Sequence, residues 1–167
     1  SNLLLGTIPV GPGMAREKVN DAFQQLMADI KTRFVEQQIW VKDYGAAFDD
    51  ANDDTTEIGD AIAQAAITAG GALGSTVNIP RGVGRVSAAI NIPNRVTIAG
   101  VNKRGSVIRA TSGHTGPYMM TVVDGTSSMF DNPLKDLTID CNSVAGLGGI
   151  DSQAWQEGGG LEHVLVQ

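Results

Sequence analysis

Apolar positions along this chain fall first into steps of three and four, and later into steps of two. Val19, Ala22, Phe23, Leu26, Met27, Ile30 and Phe34 share one helical face, opposite Glu17, Lys18, Asp21, Gln25, Asp29, Lys31 and Arg33. This pattern predicts a helix from Ala15 to about Gln38. Such a helix must bury its stripe to stay folded, against the following domain or against copies of itself. Val19 and Leu26 are seven apart, as are Phe23 and Ile30, but the next heptad puts Arg33 and Gln37 there. Two heptads permit self-association without requiring it. Ahead of the helix, residues 1–14 are rich in Gly and Pro and predict an extended arm. After it, "IWVKDYG" reads as a short strand. In "TTEIGDAIAQAAITAGG", Ile58, Ala61, Ile62, Ala65 and Ala66 then share a small-residue helical face that ends at Gly70 and Gly71.

From Ser75 onward the helical period disappears. Short β runs follow one another with Gly, Pro or Asn between them: "TVNIP", "RVSAAINIP", "RVTIAG", "SVIRA", "MMTVV", "LKDLTID", "LEHVLV". "VNIP" and "INIP" end alike, and "VTI", "LTI" and "VLV" read as equivalent strands. Val77 to Val96 is 19 residues, Val96 to Leu137 is 41 and Leu137 to Val164 is 27. Repeats of this length indicate a solenoid, although short strands at such spacing also fit a sandwich. Irregular loops around recurring triplets favour a parallel β-helix, so the expected fold class is mainly β.

Composition narrows the chemistry. The 167 residues suffice for one domain with a small appendage, and 21 glycines with few aromatics suit repeated turns between strands. The single cysteine, Cys141, excludes an internal disulfide framework and a cysteine-rich metal site. No apolar run approaches the roughly 18 residues of a membrane span. A net charge of −6 argues against a nucleic-acid partner. Eleven of the 18 acids lie at or before Asp60, whereas Arg81, Arg85, Arg95, Lys103, Arg104 and Arg109 follow with no acid before Asp124. That distribution reads as an acidic region near a basic body, or as a surface attracting an acidic polysaccharide.

"KDYGAAFDDANDDT" holds four aspartates in two pairs. Asp54 and Glu57 have capping-box spacing at the start of the second helix, where a carboxylate also meets the positive end of the helix dipole. Asp49 and Asp50 suit a turn. Calcium would require regularly alternating oxygen ligands and a distal glutamate, which "DDANDD" lacks. Neither His114 nor His163 has a companion at metal-ligand spacing, so no metal or other cofactor is expected.

The chain from about residue 40 to 167 resembles the pectate-lyase-like right-handed β-helix superfamily. The resemblance rests on "VKDYGAAFDDANDDTTEIGDAIAQA", "GSTVNIPRG", "INIPNRVTIAG", "SVIRA" and "LKDLTIDCN". It implies that a VxDYGA-type strand and a DDT-started helix cap the N-terminal end of the solenoid. It leaves open hydrolase, lyase or epimerase chemistry. "LLLGTIPVGPGMAREKVNDAFQQL" resembles a segment near the N-terminus of bacteriophage tail fibres and tailspikes, through Gly11, Gly13, Ala15, Arg16, Lys18, Asn20, Ala22 and Phe23. Together the two resemblances imply the N-terminal part of a virion-associated tailspike. Residues 1–39 would form an attachment and trimerisation head, and 40–167 the cap and first rungs of the β-helix. The implied partners are two further copies of the chain, a phage tail or baseplate protein, and a bacterial surface polysaccharide such as capsule or lipopolysaccharide. Val19, Phe23, Leu26, Ile30 and Phe34 would form the assembly surface.

A glycan-cleaving parent needs two carboxylates roughly 5–10 Å apart, or a base with a charge-neutralising partner. Because the sequence stops at Gln167 within a strand pattern, the expectation is a piece of a longer depolymerase that lacks the catalytic rungs. No catalytic residue is assigned. Asp140 in "TIDCN" is the best-placed acid, with side-chain bonding at a rung corner as its simpler role. Trp155, between Asp151 and Glu157, could stack on a sugar, but packing is favoured. Asp140, Trp155 and Glu157 are therefore the candidate glycan contacts, and Cys141 fills space. The alternatives are a secreted lyase-like or epimerase-like enzyme on uronic-acid polymers, supported by the segment from Arg81 to Arg109, and a non-catalytic glycan-binding adhesin.

Overall fold

The computed structural model describes residues 20–28, 38–69, 74–122, 133–152 and 160–167. The chain divides into two compact units, Ser1–Glu36 and Gln37–Gln167. In the first unit residues 20–28 are helical (α1), with Phe23 57% exposed and Leu26 half-buried. The predicted arm at 1–14, and Val19, Ile30 and Phe34 of the stripe, lie outside the described residues.

The second unit begins with β1 (Gln38–Trp40), so Gln38 is already strand rather than helix end. The strand predicted through "IWVKDYG" stops at Trp40. Val41–Tyr44 form a 3-10 turn, closed by Gly45 at φ 98. Next come β2 (Asp49–Asp53) and α2 (Thr55–Ala69). β3 (Ser75–Ile79), β4 (Gly82–Ile92), β5 (Val96–Gly100) and β6 (Ser106–Val122) follow. β7 (Pro133–Lys135), β8 (Thr138–Asp140), β9 (Gly148–Asp151), β10 (Gly160–Glu162) and β11 (Leu165–Val166) complete it.

Two sheets share the strands alternately. Sheet 1 runs β1-β3-β5-β7-β10 and sheet 2 runs β11-β8-β6-β4-β2, while β9 pairs with the far half of β6. Every pairing is parallel. The unit is mainly β, built on two parallel sheets. Within a rung the chain passes from sheet 1 to sheet 2, and parallel neighbours in one sheet, which a tight hairpin cannot join, are reached only by a full turn of the chain.

Alternation along each strand sends one set of side chains inward. Ile39, Val77, Ile98 and Leu134 stack in register in sheet 1, and Ile108 on Ile139 in sheet 2, all buried. Ile58, Ala61, Ile62 and Ala65 on α2 are buried in the same core, and α2 contacts β1, β3, β4 and β5. Its alanines let the helix approach the strands closely. Two glycines are dictated by Phe48, whose ring is buried. A Cβ at Gly84 would lie 2.7 Å from that ring, and one at Gly82 (φ +128) would lie 2.1 Å from the Phe48 carbonyl oxygen.

The registers correct part of the repeat reading. Val77 stacks on Ile98, not on Val96. "VTI" at 96–98 belongs to sheet 1, whereas "LTI" at 137–139 lies in sheet 2, where Val107 and Ile108 stack on Thr138 and Ile139. The 27-residue interval is a true rung, since Leu165 and Val166 stack on Thr138 and Ile139. Triplets of like composition occur on both sheets because both bury the same kinds of side chain, so similarity alone does not distinguish the faces.

Candidate functional site

On the outer face of sheet 2, four charged residues line up across four neighbouring strands: Asp50 on β2, Arg85 on β4, Arg109 on β6 and Asp140 on β8. Arg85 is the register partner of Arg109, and Arg109 of Asp140. The inward neighbours Val86, Ile108 and Ala110 are buried, so alternation turns the charged residues outward. Two arginines in neighbouring register positions would repel, and the aspartates offset this. The Arg85 Nε donates to Asp50 Oδ1 at 3.0 Å, and the Arg109 Nη1 to Asp50 Oδ2 at 2.9 Å. The Arg109 Nε donates to Asp140 Oδ2 at 2.8 Å.

Backbone irregularity places Asp50. The β2–β4 register breaks between Asp49 and Asp53, and Asp50 takes a left-handed φ of 58. Aspartate tolerates that region better than most residues. Its neighbours bind this irregular strand to itself and to the rest of the sheet. The Asp49 Oδ1 accepts from the amides of Ala51 and Asn52. The Asp53 Oδ1 accepts from the Thr55 amide, and the Thr55 hydroxyl in turn accepts from the Ser87 amide at 2.8 Å. At the other end, the Asp140 Oδ1 accepts from the Asn142 amide, and the Asn142 Nδ2 donates to the Ala110 carbonyl. Directly after Ala110, β6 carries extra residues relative to β4, and Thr111–Tyr118 form a largely exposed excursion beside the ladder.

The electrostatics limit what this ladder can do. Hydrogen bonding from Arg85 leads in holding the Asp50 carboxyl below the ordinary range, against some desolvation. Burial pushes the Asp140 carboxyl up, but bonds from Arg109 and the Asn142 amide outweigh it and hold the group low. A general acid for glycoside cleavage needs a raised pKa, so neither carboxylate is suited to protonating a leaving group. The two aspartates and two arginines hold one another in place as an array of donors and acceptors.

The other expected residues are placed as follows. Asp54 stands at the α2 start, where its carbonyl accepts the first helical N–H, from Ile58. Its carboxylate turns backward and accepts from the Ala47 amide at 2.7 Å and the Phe48 amide at 3.2 Å. Burial pushes this carboxyl up, against those two amides. The side chain bonding at the first turn of α2 is that of Asp53. Glu57 has a buried Oε2 without a hydrogen-bond partner. Trp155 and Glu157 lie outside the described residues. Burial, followed by the nearby Asp140 charge, pushes the Cys141 thiol up, consistent with a space-filling residue. His163 is an exposed neighbour of Asp136, and His114 lies in the excursion. Among the described residues no cluster of three or more His, Cys, Asp or Glu could hold a metal ion. A cavity of about 390 Å³ between α2 and β4 is lined by residues such as Gly59, Ala63, Ala89 and Asn91, none of them ionisable.

Sequence reasoning singled out Asp140 but not its partners. The available signal was the alignment of "VGRV", "VIRA" and "TIDC" at rung spacing, which superposes Arg85, Arg109 and Asp140. Asp50 gave no such signal, because its place depends on a broken register.

Residues 38–166 match the family model described as rhamnogalacturonase A/epimerase, pectate lyase-like. No curated protein sequence matches the chain. Among solved structures, ORF18 of Geobacillus virus E2 is similar at TM-score 0.61 and 21% identity, over 77% of this chain and 25% of that one. The A-module of mannuronan C-5 epimerase AlgE4 from Azotobacter vinelandii is similar at TM-score 0.58 and 27% identity, over 76% of this chain and 37% of that one. The N-terminal fragment of bacteriophage Phi29 gene product 12 is similar at TM-score 0.53 and 25% identity, over 71% of this chain and 18% of that one. The chain thus spans little more than a third, at most, of these similar chains. The match over residues 38–166, on a solenoid of parallel strands, makes this chain a member of the pectate lyase-like rhamnogalacturonase A/epimerase family.

Proposed function

We propose that this chain is the N-terminal part of a phage tailspike, a virion component whose full-length form binds and degrades a bacterial surface polysaccharide. Residues 1–39 serve attachment to a tail or baseplate protein and homotrimer assembly, and 40–167 start a right-handed β-helix that Thr55–Ala69 caps. The observation that carries this reading is membership of a carbohydrate-enzyme family, combined with likeness to two bacteriophage gene product 12 structures at 25% and 26% identity. The exposed Phe23 and Met27 on α1 support the assembly surface, since large apolar side chains in water favour association.

Light scattering on a sizing column across a dilution series tests the assembly claim. A concentration-independent trimer is expected, and a strict monomer would overturn it. A second reading, an epimerase-like enzyme on uronic-acid polymers, is favoured by the likeness to the AlgE4 and AlgE6 A-modules at 27% and 26% identity. Incubating the full-length protein with polymannuronate and reading C-5 inversion by NMR separates the two: inversion supports the second reading, and an unchanged polymer the first.

A further inference from the structure

We infer that the Asp50–Arg85–Arg109–Asp140 ladder is itself a contact surface for a neutral, hydroxyl-rich glycan and not for an acidic one. The inference rests on the polysaccharide reading above and names the class of sugar for this part of the chain. Three features of the ladder support it. The two arginine donors stand side by side between the two aspartate acceptors, so the row offers both kinds of partner to vicinal hydroxyls, each of which both donates and accepts. The ion pairs engage one N–H of Arg85 and two of Arg109, and a guanidinium carries more donors than that. The carboxylates also fix each guanidinium from its Nε edge, so ligand binding would immobilise little further side-chain freedom.

Charge decides the class of sugar. Two aspartates offset the two arginines, and exposed Asp49 and Asp53 flank the Asp50 end. With a net charge of −6 on the chain, a polyuronate gains no attraction here and meets repulsion at longer range. Of the basic residues from Arg81 to Arg109 that made an acidic polysaccharide plausible from sequence, the two on the ladder, Arg85 and Arg109, are neutralised by its aspartates.

The test is a glycan array carrying neutral microbial polysaccharides and uronate oligosaccharides, probed with the full chain at low and at physiological salt. Asp50→Asn and Arg85→Gln are probed in parallel, and circular dichroism checks that each is folded. The native chain is expected to bind at least one neutral glycan with little salt dependence, and Arg85→Gln to weaken this at least fivefold. Asp50→Asn removes a negative charge from the ladder and is expected to raise uronate binding severalfold at low salt. Preferential, salt-sensitive uronate binding by the native chain would overturn the inference while leaving the polysaccharide reading standing. So would neutral-glycan binding that Arg85→Gln leaves unchanged in a folded protein. A native chain that binds no glycan on the array overturns the inference, while the polysaccharide reading, which concerns the full-length form, is decided separately by probing that form on the same array.

Discussion

The two sheets differ on their outer faces far more than on their inner ones. Inside, both are stacks of buried apolar residues in register, Ile, Val and Leu in sheet 1 and Ile, Val, Ala and Met in sheet 2. Outside, one row of sheet 1 reads Trp40, Asn78, Ala99, Lys135 and Glu162, with its single ion pair, Lys135 to Glu162 at 3.1 Å, at the far end. On sheet 2 the corresponding row is charged at four successive strands and joined by three ion pairs. A solenoid requires only that inward positions be apolar and outward positions tolerate water. The inner rows therefore resemble one another, and the outer rows are where one face acquires its own chemistry.

The largest expected effect tests the inner equivalence. Leu134→Ala in sheet 1 and Ile139→Ala in sheet 2 each remove a fully buried side chain, and each should cost about 2–5 kcal/mol in denaturant unfolding. Costs that differ greatly would break the equivalence. Gly82→Ala should cost on the order of 3 kcal/mol, through strain at φ +128 and collision with the Phe48 carbonyl, and should be seen as a lowered melting temperature.

The outer rows should separate by a smaller margin. Arg109→Gln leaves the Asp140 carboxylate, 13% exposed, without its ion pair and should cost about 1 kcal/mol. Asn78→Ala, which loses only a long 3.4 Å bond to the Ile39 carbonyl, should be within about 0.5 kcal/mol of neutral. Equal costs would mean that the ladder adds no more than an ordinary polar surface.

The smallest effect concerns acid. Asp50 and Asp140 have folded pKa values below the ordinary range, so their stabilisation is present above roughly pH 4 and is lost as pH falls through the folded values. Asp54 has the opposite sign. Its raised folded pKa disfavours the folded state at neutral pH, and this is relieved as pH falls toward the ordinary carboxylate value. In pH-dependent unfolding, Arg109→Gln should lose stability less steeply below about pH 4 than the native chain. Asp54→Asn should flatten the curve just above that range.

The core was legible because periodicity is a property of consecutive residues. The α2 face and the β runs from Ser75 could be read from apolar spacing alone. The apolar positions of sheets and helix are largely buried as far as Ile139, with Ala66 half-buried and Leu161, Leu165 and Val166 of the last run exposed. Rung register was not, because the intervals between stacked residues vary with each loop: Val77 meets Ile98, while Ile98 meets Leu134 across a far longer span. The ladder inherits that difficulty, since Asp50 and Arg109 are 59 residues apart and meet only through the winding of the chain. Asp54 shows a subtler limit. Its spacing to Glu57 predicted a capping box, and tertiary structure supplied the buried amides of Ala47 and Phe48 as partners for its carboxylate.

The most direct test of the difference between the faces is an NMR titration of the isotopically labelled chain with the neutral glycan that binds best on the array. The account predicts shift changes at Asp50, Arg85, Arg109 and Asp140, with Thr76, Asn78 and Thr97 on the outer face of sheet 1 unmoved. Changes confined to sheet 1, with the ladder silent, would contradict it.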